Sequence, residues 1–374
     1  MIETSAGYGR QLLSGIAQYS RLYGPWAFYS EQGDFGMALP NIGRWGADGV
    51  IARETRINKK IIELGIPVII SIDRRKESFS GIPYITTDSA SLGQTAAKYF
   101  IERGFRYLAY CGMDELWWSR ERGRYFADCN SKAGFYTDIY KRPKKRSERL
   151  WVNEQNIIID WLKRLPKPTA LLANSDERAR HIIEACKLAD LKVPEEIAVL
   201  GIDNDELTCE LSDPPLSSIS MNVKKAGYQA AELLDRMMSG KKIKTNVIVV
   251  ETQHVVTRQS TDIIAVEDAS VSKALNFIRD HSRELIQVGD VVKAANLSRN
   301  ALIKRFKKVL GRSIHEEIIK VRMDCFAQML VETNQTVSQI AAKMGYICTK
   351  HMSRCFHSQK GMTPLQYRKK IGQI

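Results

Sequence analysis

Up to about residue 262 the apolar positions cluster in short runs, and between the runs they recur at helical spacing. Runs rich in Val, Ile, Leu or Ala, several bounded by Gly or Pro, predict strands over residues 47–53, 66–72, 105–111, 169–173, 197–202 and 247–256. Helical periodicity predicts helices over 10–21, 59–64, 89–103, 177–189 and 223–238. Near-continuous apolar strands alternating with helices argue an α/β architecture of doubly wound parallel sheets covered on both faces. The length suits two such lobes, with the crevice between them as the expected ligand site.

After Thr261 the strands stop. Amphipathic segments follow at 271–281, 288–295, 299–310 and 313–330, then shorter ones at 337–344, 350–360 and 364–369. They predict an all-α second domain, giving a division into 1–262, a linker at 263–269, and 270–374. The junction, roughly 259–269, is polar and acidic.

Within the helical domain one layout occurs twice. Val291, Val292, Ala294 and Ala295 end a short helix, Asn296-Leu297 makes a turn, and Ser298 is a good N-cap for the next helix. There Leu302 and Phe306 fall at i, i+4 and face inward, Arg299, Asn300, Ile303, Lys304 and Lys307 occupy the other faces, and Gly311 ends the helix. About forty-five residues later, Ile340, Ala341 and Met344 form the inner stripe of a helix capped by Thr336 or Ser338, and Gly345 turns the chain. The following helix carries Thr349, Lys350 and Arg354 outward and Met352 and Phe356 inward, ends at Gly361, and is followed by a Thr363-Pro364 helix start. These are two helix-turn-helix motifs. The second helix of each fits the major groove of DNA, where Arg and Lys donate to guanine edges and Asn or Thr contacts other bases. Lys307, Lys308, Arg312, Lys369 and Lys370 would add phosphate contacts without sequence information.

Charge strengthens that reading. The 374-residue chain has a net charge of +14, and residues 267–374 hold 19 Lys and Arg against 9 Asp and Glu. A concentrated basic module is the footprint of polyanion binding. The longest apolar runs are strand-length, no charged and apolar leader opens the chain, and the seven scattered cysteines never form a CxxC pair. These features point to a cytoplasmic protein with reduced thiols and no membrane association.

In the front domain, Gly201-Ile202-Asp203-Asn204-Asp205 and Asn174-Ser175-Asp176 end predicted strands, where a doubly wound sheet borders its ligand. Trp118 and Arg122 follow a third strand; an indole face suits a pyranose ring, and a guanidinium donates to two hydroxyls. The bland alternatives are turn-capping for the acids, above all for Asp88 in its Thr86-Thr87-Asp88-Ser89 setting, and core packing for Trp117-Trp118. Asp203, Asp205 and Glu206 could be imagined as glycosidase acids, but no partner carboxylate is placed at a catalytic separation. Cys348, His351, Cys355 and His357 match no standard zinc spacing, Gly7-Tyr8-Gly9 lacks a third glycine, and no P-loop occurs. No cofactor and no catalysis are expected.

The stretches Leu297-Ser298-Arg299…Arg305-Phe306-Lys307…Gly311 and Ile340-Ala341…Gly345-Tyr346…Phe356…Gly361…Thr363-Pro364…Tyr367-Arg368 resemble the two motifs of AraC/XylS-type regulators. The resemblance places base-reading residues at Asn300, Ile303 and Lys304, then at Thr349, Lys350 and Arg354. Met352 stands where that family has Phe, and His357-Ser358 where Lys-Lys is common. The front domain, through Tyr8-Gly9-Arg10, Trp45-Gly46-Ala47-Asp48-Gly49-Val50, Thr87-Asp88, Trp118…Glu121-Arg122, Asp176…His181 and Gly201-Ile202-Asp203-Asn204, resembles the LacI-type periplasmic-binding-protein fold. Together the two resemble the XylR-type xylose operon regulators over essentially the whole chain. That resemblance implies an activator with a pentose effector, D-xylose, and a homodimer on direct-repeat half-sites of a double-stranded DNA operator. It carries sugar contacts onto Tyr8, Asp88, Trp118, Arg122, Asp176 and Asp203. Few residues precede Thr4-Ser5-Ala6-Gly7-Tyr8, so the expectation is either a start further upstream or a lobe lacking its inner strand. The competing readings are a carbohydrate-processing enzyme and a basic-helix interaction protein without sequence-specific DNA binding.

Overall fold

The computed structural model describes residues 2–29, 46–54, 61–71, 81–241, 243, 247–263, 268–346 and 348–371. The expectations for Trp45, Lys59, Ile72 and linker residues 264–267 lie outside the described residues. The chain divides into two compact units: Met1–Tyr99 with Tyr107–Asp262, and Ile263–Ile374 with the short stretch Phe100–Arg106.

The first unit is built on two sheets. Among the described residues, β1 (Val50–Arg53), β2 (Val68–Ser71), β3 (Tyr84–Thr87) and β9 (Val247–Val250) form a parallel four-stranded sheet in the order β1-β2-β3-β9. The second sheet runs β10-β8-β7-β6-β4-β5, from β4 (Tyr107–Cys111), β5 (Thr137–Ile139), β6 (Thr169–Ala173), β7 (Ile197–Ile202), β8 (Ser217–Met221) and β10 (Thr252–Val256). It is parallel except for β10, which pairs antiparallel with β8. Strands β6 and β7 are buried at every residue, as sheets covered on both faces require.

The expected single strand at 247–256 is two strands in two sheets. The chain crosses from one lobe to the other at Glu251, whose carbonyl accepts from the Asn222 amide. The start of the junction, 259–262, lies in the first unit. Gln259–Thr261 is a 3₁₀ turn with Ser260 and Thr261 fully buried; the Ser260 hydroxyl donates to the Val199 carbonyl and accepts from the Ser217 amide. These residues belong to the core of the first unit.

Helices α1 (Gly7–Tyr23), α2 (Ser89–Glu102), α3 (Trp117–Lys132), α4 (Trp151–Arg164), α5 (Asp176–Leu188), α6 (Glu206–Leu211) and α7 (Val223–Met238) cover the sheets. α1 and α7 pack closely because glycines face backbone: a Cβ on Gly15 would meet the Lys224 carbonyl oxygen at 1.9 Å, and one on Gly227 the Leu12 oxygen at 2.1 Å.

The second unit is helical: α8 (Ala269–Asp280), α9 (Val288–Ala294), α10 (Arg299–Leu310), α11 (Ile314–Glu332), α12 (Val337–Lys343), α13 (Thr349–Lys360) and α14 (Pro364–Ile371). It holds two small cores joined by α11. Ile314 and Ile318 pack with Val271, Leu275, Val291, Leu302 and Phe306, whereas Met323, Phe326 and Leu330 pack with Ile340, Met344, Met352 and Phe356.

Candidate functional site

A cavity of about 200 Å³ opens among the carboxyl ends of strands from both sheets. Arg53, Ser71 and Thr87 end strands of the four-stranded sheet, while Met113, Ser175 and Asp203 follow strands of the six-stranded one. Tyr8 joins them from the first turn of α1, and Trp118 and Arg122 from α3. Four of the six residues expected to meet a ligand are therefore brought together: Tyr8, Trp118, Arg122 and Asp203.

Arg122 is buried at 3% exposure, donates to the Asn174 carbonyl at 2.5 Å, and lies 4.6 Å from the centroid of the Trp118 ring. Its Nε atom and the Thr87 hydroxyl are buried without a partner among the described residues, and both residues line the cavity. Buried donors are normally satisfied, so an unpaired pair at a cavity wall suits a ligand rich in hydroxyls. Asp203 has φ of +114° and Asn204 +48°, a backbone that L side chains rarely adopt. Burial pushes the Asp203 carboxyl up to about 6; Arg122 and Arg53 oppose the rise and Asp205 adds to it.

The other two acids sit elsewhere. The Asp88 carboxylate accepts from the Ser91 amide at 3.0 Å and caps α2, and Asp88 is not among the residues lining the cavity. Asp176 is 2% exposed, accepting from the Ser218 hydroxyl at 2.5 Å and the Asp205 amide at 2.7 Å, so it fastens the turn after β7. Burial raises its carboxyl well above the usual range, and the Asp203 charge adds to this. Asp205 is itself engaged by Arg10 at 2.6 Å and by the Thr208 hydroxyl at 2.9 Å.

Sequence reasoning missed Arg53 and Glu3, which pair at 2.6 Å and both line the cavity. Arg53 ends a predicted strand, so the strand-end rule that found Asp203 could have found it. Glu3 carries no such signal.

In the helical unit the two motifs have matching local causes. Ser298 accepts from the Ala301 amide to cap α10, and Thr336 forms a reciprocal capping box with Gln339 at α12. The turns pass through Asn296 at φ +52° and Gly345 at φ +76°, and left-handed glycines, Gly311 and Gly361, end α10 and α13. Leu302, Phe306, Met352 and Phe356 are fully buried.

The opposite faces carry the expected reading residues. Arg299, Asn300, Ile303, Lys304, Lys307 and Lys308 on α10, and Lys350 and Arg354 on α13, are exposed, and Thr349 is half-buried. Other basic side chains are tied into the fold. Arg305 pairs with Asp268 at 3.3 Å, Lys360 with Asp324 at 2.5 Å, Arg312 with Glu317, and Arg322 and Arg368 donate to backbone carbonyls. The basic residues on the reading faces have no such ion pair among the described residues.

Comparison with known proteins follows the same division. Residues 97–261 match the periplasmic binding protein-like domain family and residues 291–370 the helix-turn-helix domain family. The chain is 31% identical over 376 residues to the xylose operon regulatory protein of Escherichia coli strain K12, covering 98% of this chain and 95% of that protein. Its identity to the xylose operon regulatory protein of Haemophilus influenzae is 32% over 371 residues, covering 96% and 95%. The solved structure of the xylose-binding transcription activator XylR superposes with a TM-score of 0.62 at 30% identity, covering 100% of this chain and 97% of that one. No helix among the described residues is long and apolar enough to cross a membrane.

Proposed function

Because this chain belongs to the family of xylose operon regulatory proteins, and is with them a sugar-responsive, DNA-binding transcription regulator, we propose that it is a cytoplasmic, homodimeric activator whose effector is D-xylose or a closely similar pentose. One observation carries the proposal. The cavity sets the Trp118 face, a stacked Arg122 guanidinium, a carboxylate at Asp203 and an unpaired hydroxyl at Thr87 around a space of about 200 Å³. That volume is below the range of drug-sized ligands and suits a single small sugar.

Tyr8, Trp118, Arg122 and Asp203 form the proposed sugar site, joined by Arg53 and Thr87. Asp176 and Asp88 support it from outside, by fixing the β7 turn and capping α2. Asn300, Ile303 and Lys304 read one stretch of the operator and Thr349, Lys350 and Arg354 the next, with Arg299, Lys307 and Lys308 on phosphates. Sugar draws the two lobes together, and the dimer then presents its reading helices at the spacing of adjacent half-sites. The effector can drive this only if it binds the DNA-competent state more tightly. No catalysis is part of the reading; of the acids that could be imagined as a glycosidase pair, Asp205 is held by Arg10 and Thr208.

Thermal unfolding across a panel of pentoses and hexoses tests the proposal, because a ligand of the native state raises stability by mass action. D-xylose should raise the midpoint most, and the purified protein should return it unchanged. A larger shift with a hexose would displace the pentose assignment; turnover would favour the enzyme.

A further inference from the structure

The loop that follows β5 reads Lys141-Arg142-Pro143-Lys144-Lys145-Arg146-Ser147-Glu148-Arg149, six basic residues against one acid. Residues 1–266 as a whole have 37 Lys and Arg against 33 Asp and Glu, a net of +4. These nine residues alone contribute +5, so the rest of the front region is close to neutral, at −1. Nothing in the sugar site or in the reading helices uses this charge.

The loop is held in one shape by its own arginines. Arg142 donates to the Arg149 carbonyl at 3.0 Å and to Glu154 at 3.1 Å, and it also pairs with Glu115. Glu154 is 1% exposed and carries a second, bidentate bond from the buried Arg178, which anchors the arrangement in the core. Arg149 donates to the carbonyls of Pro143 and Lys144 at 2.7 and 3.0 Å, and Asn153 to that of Ser147 at 2.8 Å. With two arginines turned to the loop's own backbone, Lys141, Lys144 and Lys145 are left exposed on its outside. Of the three, Lys145 alone has a near acid among the described residues, Glu148 at 3.5 Å, and exposed pairs of this kind contribute little.

We propose that this loop is a second, sequence-independent contact to duplex DNA, with Lys141, Lys144 and Lys145 against backbone phosphates. Lysine is a point charge on a flexible stem, suited to phosphates and indifferent to base sequence. A preformed loop loses little freedom on binding. The reading helices already tether the same molecule to DNA, which raises the effective concentration of phosphate at any other basic surface within reach. The inference rests on the chain being a DNA-binding regulator.

The test measures binding of the full chain to random-sequence duplex DNA as a function of salt, for wild type and for K141A/K144A/K145A. Each phosphate contact contributes about 0.9 to the slope of log K against log salt, so losing three should flatten it by about 2.7. Affinity at low salt should fall at least tenfold, while the unfolding midpoint and its shift with D-xylose stay as in wild type. An unchanged slope overturns the loop contact and leaves the reading helices standing. If wild type itself does not bind DNA, the regulator reading fails with it. Leu150 and Val152, exposed at 63% and 79%, follow the loop directly, so vesicles of phosphatidylserine and phosphatidylcholine are the third arm. Wild-type capture by these vesicles that the triple variant loses, with the DNA slope unchanged, would replace DNA by an anionic lipid surface.

Discussion

Asp203, in the proposed sugar site, joins a prediction about stability to one about ligand binding. Burial lifts its carboxyl to about 6, above the 3.8 of a free aspartate. Between those values the folded protein holds a proton that the unfolded chain has released, so stability falls as pH rises through this window and levels off above about pH 6. The charged carboxylate therefore costs the sugar-free protein about 3 kcal/mol at neutral pH. D203N should remove that cost, raising the unfolding midpoint at pH 7 and flattening its fall between about pH 4 and 6. It should also abolish the shift given by D-xylose. A variant that is more stable yet still answers xylose would free Asp203 from the sugar. On the DNA side, R354A is expected to cost about 1–3 kcal/mol on operator and relax one base position, whereas K308A should weaken all duplexes alike. Equal binding by wild type and both variants in a gel-shift titration would dismiss these assignments. At this scale the sequence shows the site through strand ends: Asp203, Trp118 and Arg122 each follow an apolar run. It cannot separate a carboxylate that faces a cavity from one that meets backbone amides: Asp176 looks equivalent to Asp203 in sequence, and only Asp88, in its Thr86-Thr87-Asp88-Ser89 setting, shows the capping role that its hydrogen bond displays.

The same distinction holds for whole elements. β8 is Ser217-Ser218-Ile219-Ser220-Met221, and every residue is buried. Its hydroxyls read as a loop in sequence, yet each has a partner: the Arg258 carbonyl for Ser217, Asp176 for Ser218 and Gln253 for Ser220. Apolar periodicity misses a strand whose polar atoms are satisfied internally. It also runs β9 and β10 together, because the apolar runs Val247–Val250 and Val255–Val256 are only four residues apart and tertiary pairing alone divides them at Glu251. The helical unit was far more legible, since caps, left-handed glycines and i, i+4 pairs are local and leave their marks in the chain. Two substitutions probe these causes by thermal unfolding. G201A would place a Cβ 2.2 Å from Asp176 Oδ1, pushing the carboxylate off its partners in a packed core. Overpacking of this kind costs about 1–3 kcal/mol, and it should weaken xylose binding too by moving the Asp203 turn. S298A should cost about 1 kcal/mol through the lost cap on α10, reducing DNA binding without touching the response to sugar. Equal losses of sugar response in the two variants would mean that the cap and the β7 turn are not separate elements.

For the molecule as a whole, the proposed switch joins a sugar cavity in one unit to two reading helices in the other, and linkage sets a condition that any such switch must meet. If D-xylose tightens operator binding by some factor, operator must tighten xylose binding by the same factor, because both report one coupling free energy. Allosteric couplings usually lie near 1–3 kcal/mol, so a 5- to 150-fold change is the expected scale. The sugar variant and the DNA variants should then behave differently. D203N should bind operator as the sugar-free wild type does and ignore xylose. R354A should retain wild-type xylose affinity in the absence of DNA, yet lose operator affinity by the same proportion with and without sugar, leaving the coupling factor intact. Calorimetric titration of xylose into free and operator-bound protein, beside DNA titrations at zero and saturating xylose, measures both sides of the cycle. Equal factors greater than one support a single two-state switch. A factor of one would mean that xylose binds without biasing the DNA-competent state, and the effector would then have to be a different ligand of the same cavity.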